Sequence, residues 1–561
     1  MRRSKQEATL LGNRYSQHSF AQIPDMRMAR SKFDRSFTIK DTFDFDDLVP
    51  FFCDEVIPGD TKNISVNLFA RLTTQVVPVM DNMYLDFFFF FVPNRLVFDN
   101  WQKLMGERKN PGDSTDYVCP KMLSPDSTGF EIGSLYDKFG LPTGVPKLEI
   151  GNTLPFRAYY LIYNEWFRSE NLQGSLTVPT GDGPDTPAMF EIQKSNKAHD
   201  YFTSGLPWPQ KGPAVELPLG LSAPVVSDGT IQRVAAPLSY RLQGETIYGR
   251  NFAANTVGLP SANVYITGST PGTNTSIEGT ASVEIPTTET ASYLSVDLSS
   301  ATAATINQLR EAFMMQSLLE LDARGGTRYV EILRAHYNVV SPDFRLQRPE
   351  YLGGGRTKIN VHPVPQTSST SEETPQGNLA AFATASSFDR SIGFTKSFVE
   401  HGYVLGLVRA RADLTYQQGL NRMWSKRTCW DFFWPKLQEL GEQATLNKEI
   451  YAQGNDVLSG GKIVDNLVHS YQERYAEYRY YPSQIRGLFR SQAANSLDVW
   501  HLAEDFESLP PLNSQFIKSN TPIERLLAVE GENDLLIDYW VKYFDARPMT
   551  TYSVPATIGR F

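Results

Sequence analysis

The chain has 561 residues, of which 41% are hydrophobic and 20% charged, a balance that predicts a folded protein and excludes a disordered one. Its net charge of −9 argues against a free single-stranded-DNA-binding protein, because an acidic body predicts weak affinity for DNA. Three cysteines, far apart and without a CxxC pair, argue against a disulfide framework. The apolar run at residues 87–92 is far shorter than the ~20 residues of a membrane span, and the N-terminus lacks the apolar stretch of a signal peptide. We therefore expect cytoplasmic synthesis and no membrane insertion.

The first forty residues differ from the rest of the chain in charge. They hold nine basic and three acidic groups, a net charge of +6, which leaves −15 for the remainder. A basic arm on an acidic body predicts contact with a polyanion, whereas the alternative interpretation is a solvated terminus. The candidates for the polyanion contact are Arg2, Arg3, Lys5, Arg14, Arg27 and Arg30.

Hydrophobic periodicity predicts strands in three places. Apolar and more polar residues alternate through residues 64–72, which is typical of a half-buried strand. The run of five phenylalanines at residues 87–91 predicts a strand that is buried on both faces, since it is too concentrated for one helix stripe. A further strand pair is predicted within residues 394–414.

Helical spacing and helix-start signals predict four helices between these strands. They are residues 100–105 with Asp99 as the N-cap, a helix that starts at Pro155, residues 306–321 with Thr305 as the N-cap, and Tyr329–Tyr337 after the break at residues 325–326. Strands separated by helices and long loops predict a β-rich core with insertions.

Residues 251–309 contain no Lys or Arg, and up to about residue 300 they are dominated by Thr, Ser, Ala, Gly and Asn. This composition predicts a surface excursion rather than core. Short alternation at residues 262–266 and 282–285 indicates small hairpins. The excursion is either a flexible loop or an exposed module that contacts something outside the protein.

The sequence contains no catalytic signature and no spacing of its seven histidines that suits a metal ion, so we expect no catalytic residue, no metal and no cofactor. Residues 353–358, Gly-Gly-Gly-Arg-Thr-Lys, superficially resemble a phosphate loop, but the spacing is wrong and we predict an ordinary loop.

Aromatic residues are concentrated in two stretches near the C-terminal third of the chain. One contains Trp424, Trp430, Phe432, Phe433 and Trp434, and the other interleaves five tyrosines between residues 471 and 481 with arginines up to Arg490. These side chains could stack on single-stranded bases. The favoured interpretation is that they pack in a core or at a subunit interface.

Seven segments of unusual sequence follow one another along the chain: Val56-Ile-Pro-Gly-Asp60, Phe88-Phe-Phe-Phe-Val-Pro-Asn-Arg-Leu96, Asn164-Glu-Trp-Phe-Arg168, Asp322-Ala-Arg-Gly-Gly-Thr-Arg-Tyr329, Leu414-Thr-Tyr-Gln-Gln-Gly-Leu420, Tyr471-Gln-Glu-Arg-Tyr-Ala-Glu-Tyr-Arg479 and Ala546-Arg-Pro-Met549. Together they resemble the major capsid protein of the microviruses, on the gokushovirus branch. The resemblance runs from about residue 15 to the C-terminus and is weakest across residues 213–303, where the family carries a variable insertion.

This resemblance implies a mainly β fold, a single eight-stranded antiparallel jelly roll with long helix- and loop-containing insertions. Residues 41–212 and 304–545 would form the shell body, and residues 1–40 an interior-facing arm that meets DNA. Residues 213–303 would form a protrusion at the three-fold axes, and residues 546–561 an extended C-terminal arm.

The resemblance also implies an assembly and its partners. Sixty copies would form a T=1 shell around circular single-stranded DNA, with an internal scaffolding protein, a DNA pilot protein and a small basic DNA-binding protein. The protrusion would meet a host receptor, and our candidates there are Tyr265, Thr267, Thr273, Asn274 and Thr275. The competing hypotheses are a single-stranded-DNA-binding protein and an adhesin-like surface protein, of which the second should carry a secretion signal.

Overall fold

The computed structural model describes residues 29–215, 306–365, 379–388, 391–529 and 531–552, together with residues 367 and 370. Between residues 216 and 305 it describes the backbone of six short strands. The chain divides into two compact units, Met1–Pro213 with Ser317–Phe561 and Ala214–Gln316.

The larger unit is built on one continuous network of eleven antiparallel strands. In chain order these strands are β1 (Ser31–Asp34), β2 (Phe37–Phe43), β3 (Asp47–Val56), β4 (Thr61–Leu72), β5 (Met83–Pro93), β6 (Gln193–Lys194), β7 (Glu350–Pro365), β8 (Leu379–Ser387), β9 (Gly393–Ser397), β10 (Gly402–Ala412) and β11 (Leu535–Arg547). Their spatial order is β1-β11-β4-β8-β7-β5-β10-β3-β6, with β9 paired to β4 and β2 paired to β11. The predicted mainly β fold is confirmed, whereas the count of eight barrel strands stays a prediction.

The strand network folds over on itself into two layers. The long strand β7 joins the layers, because residues 350–359 pair with β5 while residues 360–365 pair with β8. Phe51 on β3 stacks on Tyr539 of β11 at 5.1 Å between ring centroids, although these two strands are not neighbours in the network. Side chains of both layers therefore share one apolar core.

Strand β5 is buried on both faces, as its phenylalanine run predicts. Phe87, Phe89 and Phe91 point into the core between the two layers. Phe88 and Phe90 point the other way, where Phe88 meets Phe167 at 5.2 Å. Successive residues of a strand alternate between faces, so an unbroken aromatic run fits only a strand that is covered on both sides.

The predicted helices are present, with local differences. Eight α-helices are described: α1 (Trp101–Leu104), α2 (Leu135–Lys138), α3 (Leu154–Ile162), α4 (Ile306–Gly325), α5 (Tyr329–Tyr337), α6 (Asp343–Leu346), α7 (Asn447–Ile450) and α8 (Ser514–Ile517). The N-cap of α1 is Asn100 rather than Asp99, and its side chain makes no capping hydrogen bond. Thr305, the predicted cap of α4, lies outside the described residues.

Two predictions about strands were wrong. Residues 353–358 were predicted as a loop but lie inside β7. At this point β7 runs so close to β5 that a Cβ on Gly354 would lie 2.0 Å from the Phe87 carbonyl oxygen. Glycine is required there by the approach of another backbone. The strands β9 and β10 also do not pair with each other, since β9 pairs with β4 while β10 pairs with β5 and β3.

Shorter strands form two-stranded pairs outside the main network. In the larger unit they are Met122–Leu123 with Glu149–Ile150, Glu442–Leu446 with Val468–Glu473, and Leu458–Ser459 with Lys462–Ile463. In the smaller unit they are Val225–Ser227 with Leu294–Val296, Ser239–Leu242 with Glu245–Tyr248, and Tyr265–Ile266 with Thr275–Ser276.

A buried ion cluster ties the first strands of the sheet to the last. Lys62 on β4 is fully buried and lies 2.5 Å from Asp54 and 3.2 Å from Asp545. Arg35, which follows β1, pairs with Asp54 at 2.9 Å. Together with the pairing of β1 and β2 to β11, these contacts place most of residues 31–40, the last part of the predicted N-terminal arm, within the sheet.

Candidate assembly and nucleic-acid surfaces

Most of the predicted DNA-facing residues cannot be placed. Arg2, Arg3, Lys5, Arg14 and Arg27 lie outside the described residues. Arg30 is described, and its guanidinium donates to the Thr61 hydroxyl at 2.6 Å and to the Ala546 carbonyl at 3.1 Å. This arginine therefore fastens the start of β1 to the end of β11.

The predicted host-attachment residues lie in the smaller unit. Tyr265 and Thr275 belong to its shortest strand pair, in which Tyr265 lies opposite Ser276 and Thr275 opposite Ile266. This pair agrees with the hairpin predicted from the alternation at residues 262–266. Thr267, Thr273 and Asn274 lie outside the described residues, as do residues 282–285.

Four side chains of the first aromatic stretch and one of the second form an exposed surface, which we call the aromatic face: Trp430, Phe432, Phe433, Trp434 and Tyr478. Their exposed fractions run from 45% to 64%. Aromatic side chains have areas of about 150–250 Å² each, so the five expose on the order of 500 Å². That is at the upper end of what a monomeric protein leaves in contact with water. Of the two predicted alternatives, packing in a core or at a subunit interface, this exposure therefore excludes the subunit's own core for these five side chains, and packing at a subunit interface stays a prediction.

Hydrogen bonds to the backbone hold the aromatic face in place. The Tyr475 hydroxyl donates to the Phe432 carbonyl at 3.0 Å, and the Tyr478 hydroxyl accepts from the Phe433 N–H at 3.2 Å. Trp434 donates its ring N–H to the Cys429 carbonyl at 2.8 Å. Tyr475 itself is buried, so it supports the surface from below. The aromatic face is thus fixed before any partner binds.

A capped turn precedes the aromatic face. The short helix Cys429–Asp431 begins after Thr428, whose backbone N–H and hydroxyl both donate to the Asp431 carboxylate. These bonds, with one from the Arg427 N–H, hold the pKa of Asp431 at about 2. The Asp431 carboxylate is therefore ionised at neutral pH, and it accepts hydrogen bonds from Arg427 and Thr428 within the turn.

The segments that carry the aromatic face are rich in basic residues. Residues 420–440 and 471–490 together hold eight basic and four acidic groups, a net charge of +4 on a chain whose total is −9. Lys426 lies 3.7 Å from the centre of the Tyr478 ring and pairs with Glu477 at 3.3 Å. The sequence analysis did not single out Lys426, although it lies between Trp424 and Trp430 in the sequence.

The second aromatic stretch is divided between structure and surface. Tyr480 stacks on Tyr201 at 5.4 Å with nearly parallel rings, which makes it a packing residue. Trp424 and Tyr481 are exposed, and both line a cleft of about 320 Å³ that also contains Arg486. Both stretches thus present aromatic side chains to solvent beside arginine or lysine.

Comparison with known proteins shows where this arrangement belongs. The model of the family described as "Capsid protein (F protein)" matches residues 21–557. The chain belongs to this capsid protein family. It is 59% identical over 553 residues to "Capsid protein VP1" of Bdellovibrio phage phiMH2K, covering 98% of this chain and 100% of that protein. It is 44% identical to the capsid protein VP1 of Chlamydia phage 1 and 34% identical to that of Spiroplasma virus 4, each over 96% of this chain and 97% of the relative.

The predicted resemblance to the gokushovirus-type microviruses is therefore confirmed. The chain is a structural capsid protein and a virion component, not an enzyme, and capsid proteins of this family self-assemble into a shell. Within the described residues, no helix is long and apolar enough to cross a membrane. In that same part of the chain, no group of three or more His, Cys, Asp or Glu side chains could hold a metal ion.

Proposed function

We propose that sixty copies of this subunit close a T=1 icosahedral shell around circular single-stranded DNA. The observation that carries the proposal is the aromatic face: a member of a capsid protein family exposes on the order of 500 Å² of fixed aromatic surface. A subunit interface covers such a surface, and large aromatics are enriched at interfaces.

Closed symmetry makes modest contacts sufficient. Each subunit contact is repeated throughout the shell, so many weak contacts act together once the shell closes. The two packed layers of strands form the body of the subunit, and the long connections between strands carry the surfaces that meet neighbouring subunits. The aromatic face lies on such a connection, between β10 and β11.

The DNA, the internal partners and the host contact complete the proposal. Residues 1–28 hold five of the basic groups of the arm, and they would reduce repulsion between the acidic shell and the genome. An internal scaffolding protein, a DNA pilot protein and a small basic DNA-binding protein would join assembly in the bacterial cytoplasm. The Lys- and Arg-free insertion would face outward and contribute to host attachment.

Electron microscopy of the purified full-length protein, with and without nuclease treatment, tests the shell. We expect uniform icosahedral particles that protect single-stranded DNA. Filaments, open sheets or monomers at micromolar concentration would contradict the shell, and particles without protected DNA would contradict its cargo.

Two deletions separate the roles of the arm and the insertion. Removing residues 2–14 should lower the DNA content of particles, and unchanged filled particles would refute an interior arm. Replacing residues 251–300 with a short Gly-Ser linker should leave shells intact and abolish attachment to host cells. Normal attachment of such shells would show that the insertion does not meet the host.

A further inference from the structure

Four basic side chains and one carboxylate lie side by side on three adjacent strands. Asp86 on β5 is directly opposite Arg356 on β7 and Arg409 on β10. The next row of the same face contains Tyr84, opposite Lys358 and Arg411. We call Arg356, Lys358, Arg409, Arg411 and Asp86 the basic row. All of its members share one face of the sheet, because cross-strand partners and residues two apart point the same way.

The basic row begins where the covering layer of this face ends. Two residues beyond Asp86, on the same face of β5, Phe88 is covered by Phe167 at 5.2 Å between ring centroids. The Arg409 guanidinium lies 5.5 Å from the centre of the Phe88 ring. At the basic row the sheet is open: the Arg356 side chain is 55% exposed, and Lys358 is exposed as well. An incoming molecule can therefore reach Arg356 and Lys358 from solvent, whereas the Arg409 and Arg411 side chains are mostly buried.

Asp86 does not need three arginines. Its two oxygens accept from Arg356 Nε at 2.6 Å and Arg411 Nε at 2.9 Å, and Arg409 adds a contact at 3.3 Å. Burial opposes ionisation of Asp86, but the hydrogen bonds from Arg356 and Arg411 hold the pKa of its carboxyl below the usual range. One further acid, Asp413, lies 3.8 Å from Arg411. Asp46 also acts on Arg409 through its charge, so four cations face three carboxylates and one positive charge remains in excess.

The surplus charge has a cost in the free subunit. Burial lowers the pKa of the Arg409 guanidinium, and the neighbouring charge of Arg411 lowers it further. Within the described residues, Arg356 makes no hydrogen bond besides the one from its Nε, so both of its Nη groups remain available to a ligand. Fewer cations would suffice if their only role were to pair with Asp86. An anion-binding site, in contrast, needs positive charge beyond what the local carboxylates neutralise.

The neighbouring aromatic ring restricts the kind of anion. The Tyr84 ring lies 5.2 Å from the Arg356 guanidinium and 5.1 Å from that of Arg411, so its surroundings are already occupied by arginines. A nucleobase cannot stack there, but a phosphate can meet the outward guanidinium donors. Arg356 and Lys358 are two residues apart on one strand, about 7 Å, which is close to the spacing of successive phosphates in an extended polynucleotide.

We propose that the basic row binds phosphodiester groups of single-stranded DNA, with Arg356 and Lys358 each contacting one phosphate. This inference rests on the proposed enclosure of single-stranded DNA and assigns part of that contact to the folded sheet. The binding is independent of base identity, because no base edge or stacking surface takes part.

A charge-matched pair of double variants tests the proposal on the full-length chain. Arg356→Gln with Lys358→Gln removes the two outward cations and leaves Arg409 and Arg411 to hold Asp86. The control, Lys121→Gln with Lys396→Gln, removes the same charge from lysines that each pair with one carboxylate, Glu149 and Glu350 respectively. Urea unfolding of both proteins checks that the fold is retained.

The readout is the affinity of unassembled subunits for a fluorescent oligothymidylate over a series of salt concentrations. The basic-row variant should bind at least about tenfold more weakly at low salt, and its slope of log affinity against log salt should fall by about 1.4, or ~0.7 for each lost phosphate contact. The control variant should change affinity by less than about twofold, as only general charge is lost.

Four results would overturn the proposal. Equal loss in both variants would show a general charge effect, and inorganic phosphate binding without any loss of oligothymidylate binding would show a site for the free ion only. Unchanged oligothymidylate binding with impaired assembly would assign the row to an acidic segment of a second copy. If wild-type particles protect DNA while the variant binds oligothymidylate normally, the proposed function stands and the basic-row assignment fails.

Discussion

Truncating Trp430 to alanine should block assembly without weakening the subunit. Its side chain is 64% exposed, which for a tryptophan of about 250 Å² leaves ~160 Å² in water. At ~25 cal/mol per Å², complete coverage by a neighbour would contribute ~4 kcal/mol per subunit. This is a ceiling equivalent to about a thousandfold change in the assembly concentration, and we expect an increase of at least about tenfold.

Light scattering of nuclease-treated protein over a concentration series measures this change, and urea unfolding measures the stability of the free subunit. The free energy of unfolding should change by less than about 0.5 kcal/mol, because most of this side chain lies outside the packed core. Trp430→Phe serves as the matched control, since it retains much of the apolar surface and should recover most of the assembly.

Three results would refute this reasoning. Assembly of Trp430→Ala at the wild-type concentration would show that no subunit covers this part of the aromatic face. Normal assembly combined with a lower DNA content of the particles would instead assign the face to base stacking. A large loss of subunit stability would mean that Trp430 supports the fold.

Three further changes test the interior of the subunit. Lys62→Gln should lower the free energy of unfolding by about 3–5 kcal/mol, because it leaves buried carboxylates without their cation. Gly354→Ala should cost about 3 kcal/mol or more, since the new Cβ would lie 2.0 Å from the Phe87 carbonyl oxygen. Burial and the charges of neighbouring acids raise the pKa of Asp534 from its usual 3.8 to about 6. Because the unfolded chain loses this proton first, the free energy of unfolding falls as the pH rises from about 4 to about 6 and stays lower above that range. Asp534→Asn should therefore be more stable than wild type by roughly 2 kcal/mol at pH 7.5, with the difference fading as the pH falls from 6 to 4.

Chemical denaturation measures all three, and each has its own control. Lys121→Gln breaks an exposed ion pair and should change stability by less than about 1 kcal/mol; a comparable loss at both lysines would contradict the buried-ion account. Gly106→Ala tests glycine at a position where a Cβ would meet nothing within 4 Å; its positive φ alone should cost less than the clash at Gly354. For Asp534→Asn, a stability difference that stays constant from pH 4 to 8 would contradict the assigned pKa.

Local sequence patterns predicted the strands and helices whose burial depends on residues that are close together in the sequence. The phenylalanine run identified a strand buried on both faces, and helical spacing placed Tyr329–Tyr337 at its observed bounds. The three glycines at residues 353–355 were interpreted as a loop. The Phe87 carbonyl oxygen that requires glycine at position 354 belongs to a strand more than 250 residues away, so no local pattern reveals its approach. Local patterns likewise cannot show which strands lie side by side, so the predicted pairing of β9 with β10 was wrong.

The same limit explains which surfaces the sequence revealed. Four of the five side chains of the aromatic face lie within residues 430–434, so the sequence showed them as a cluster, but it did not show that they are exposed. The basic row combines residues from β5, β7 and β10, and only the strand register places Arg356 and Arg409 on either side of Asp86. No local signal distinguishes these arginines from ordinary surface charges.

A cryo-electron microscopy reconstruction of wild-type particles at side-chain resolution tests the central claim most directly. We expect an icosahedral T=1 shell of sixty subunits, with a mass of about 3.8 MDa for chains of 63.1 kDa, in which Trp430 and Phe433 are buried against a neighbouring subunit. A shell with another number of subunits, or one in which both side chains remain exposed to solvent, would contradict this account of assembly.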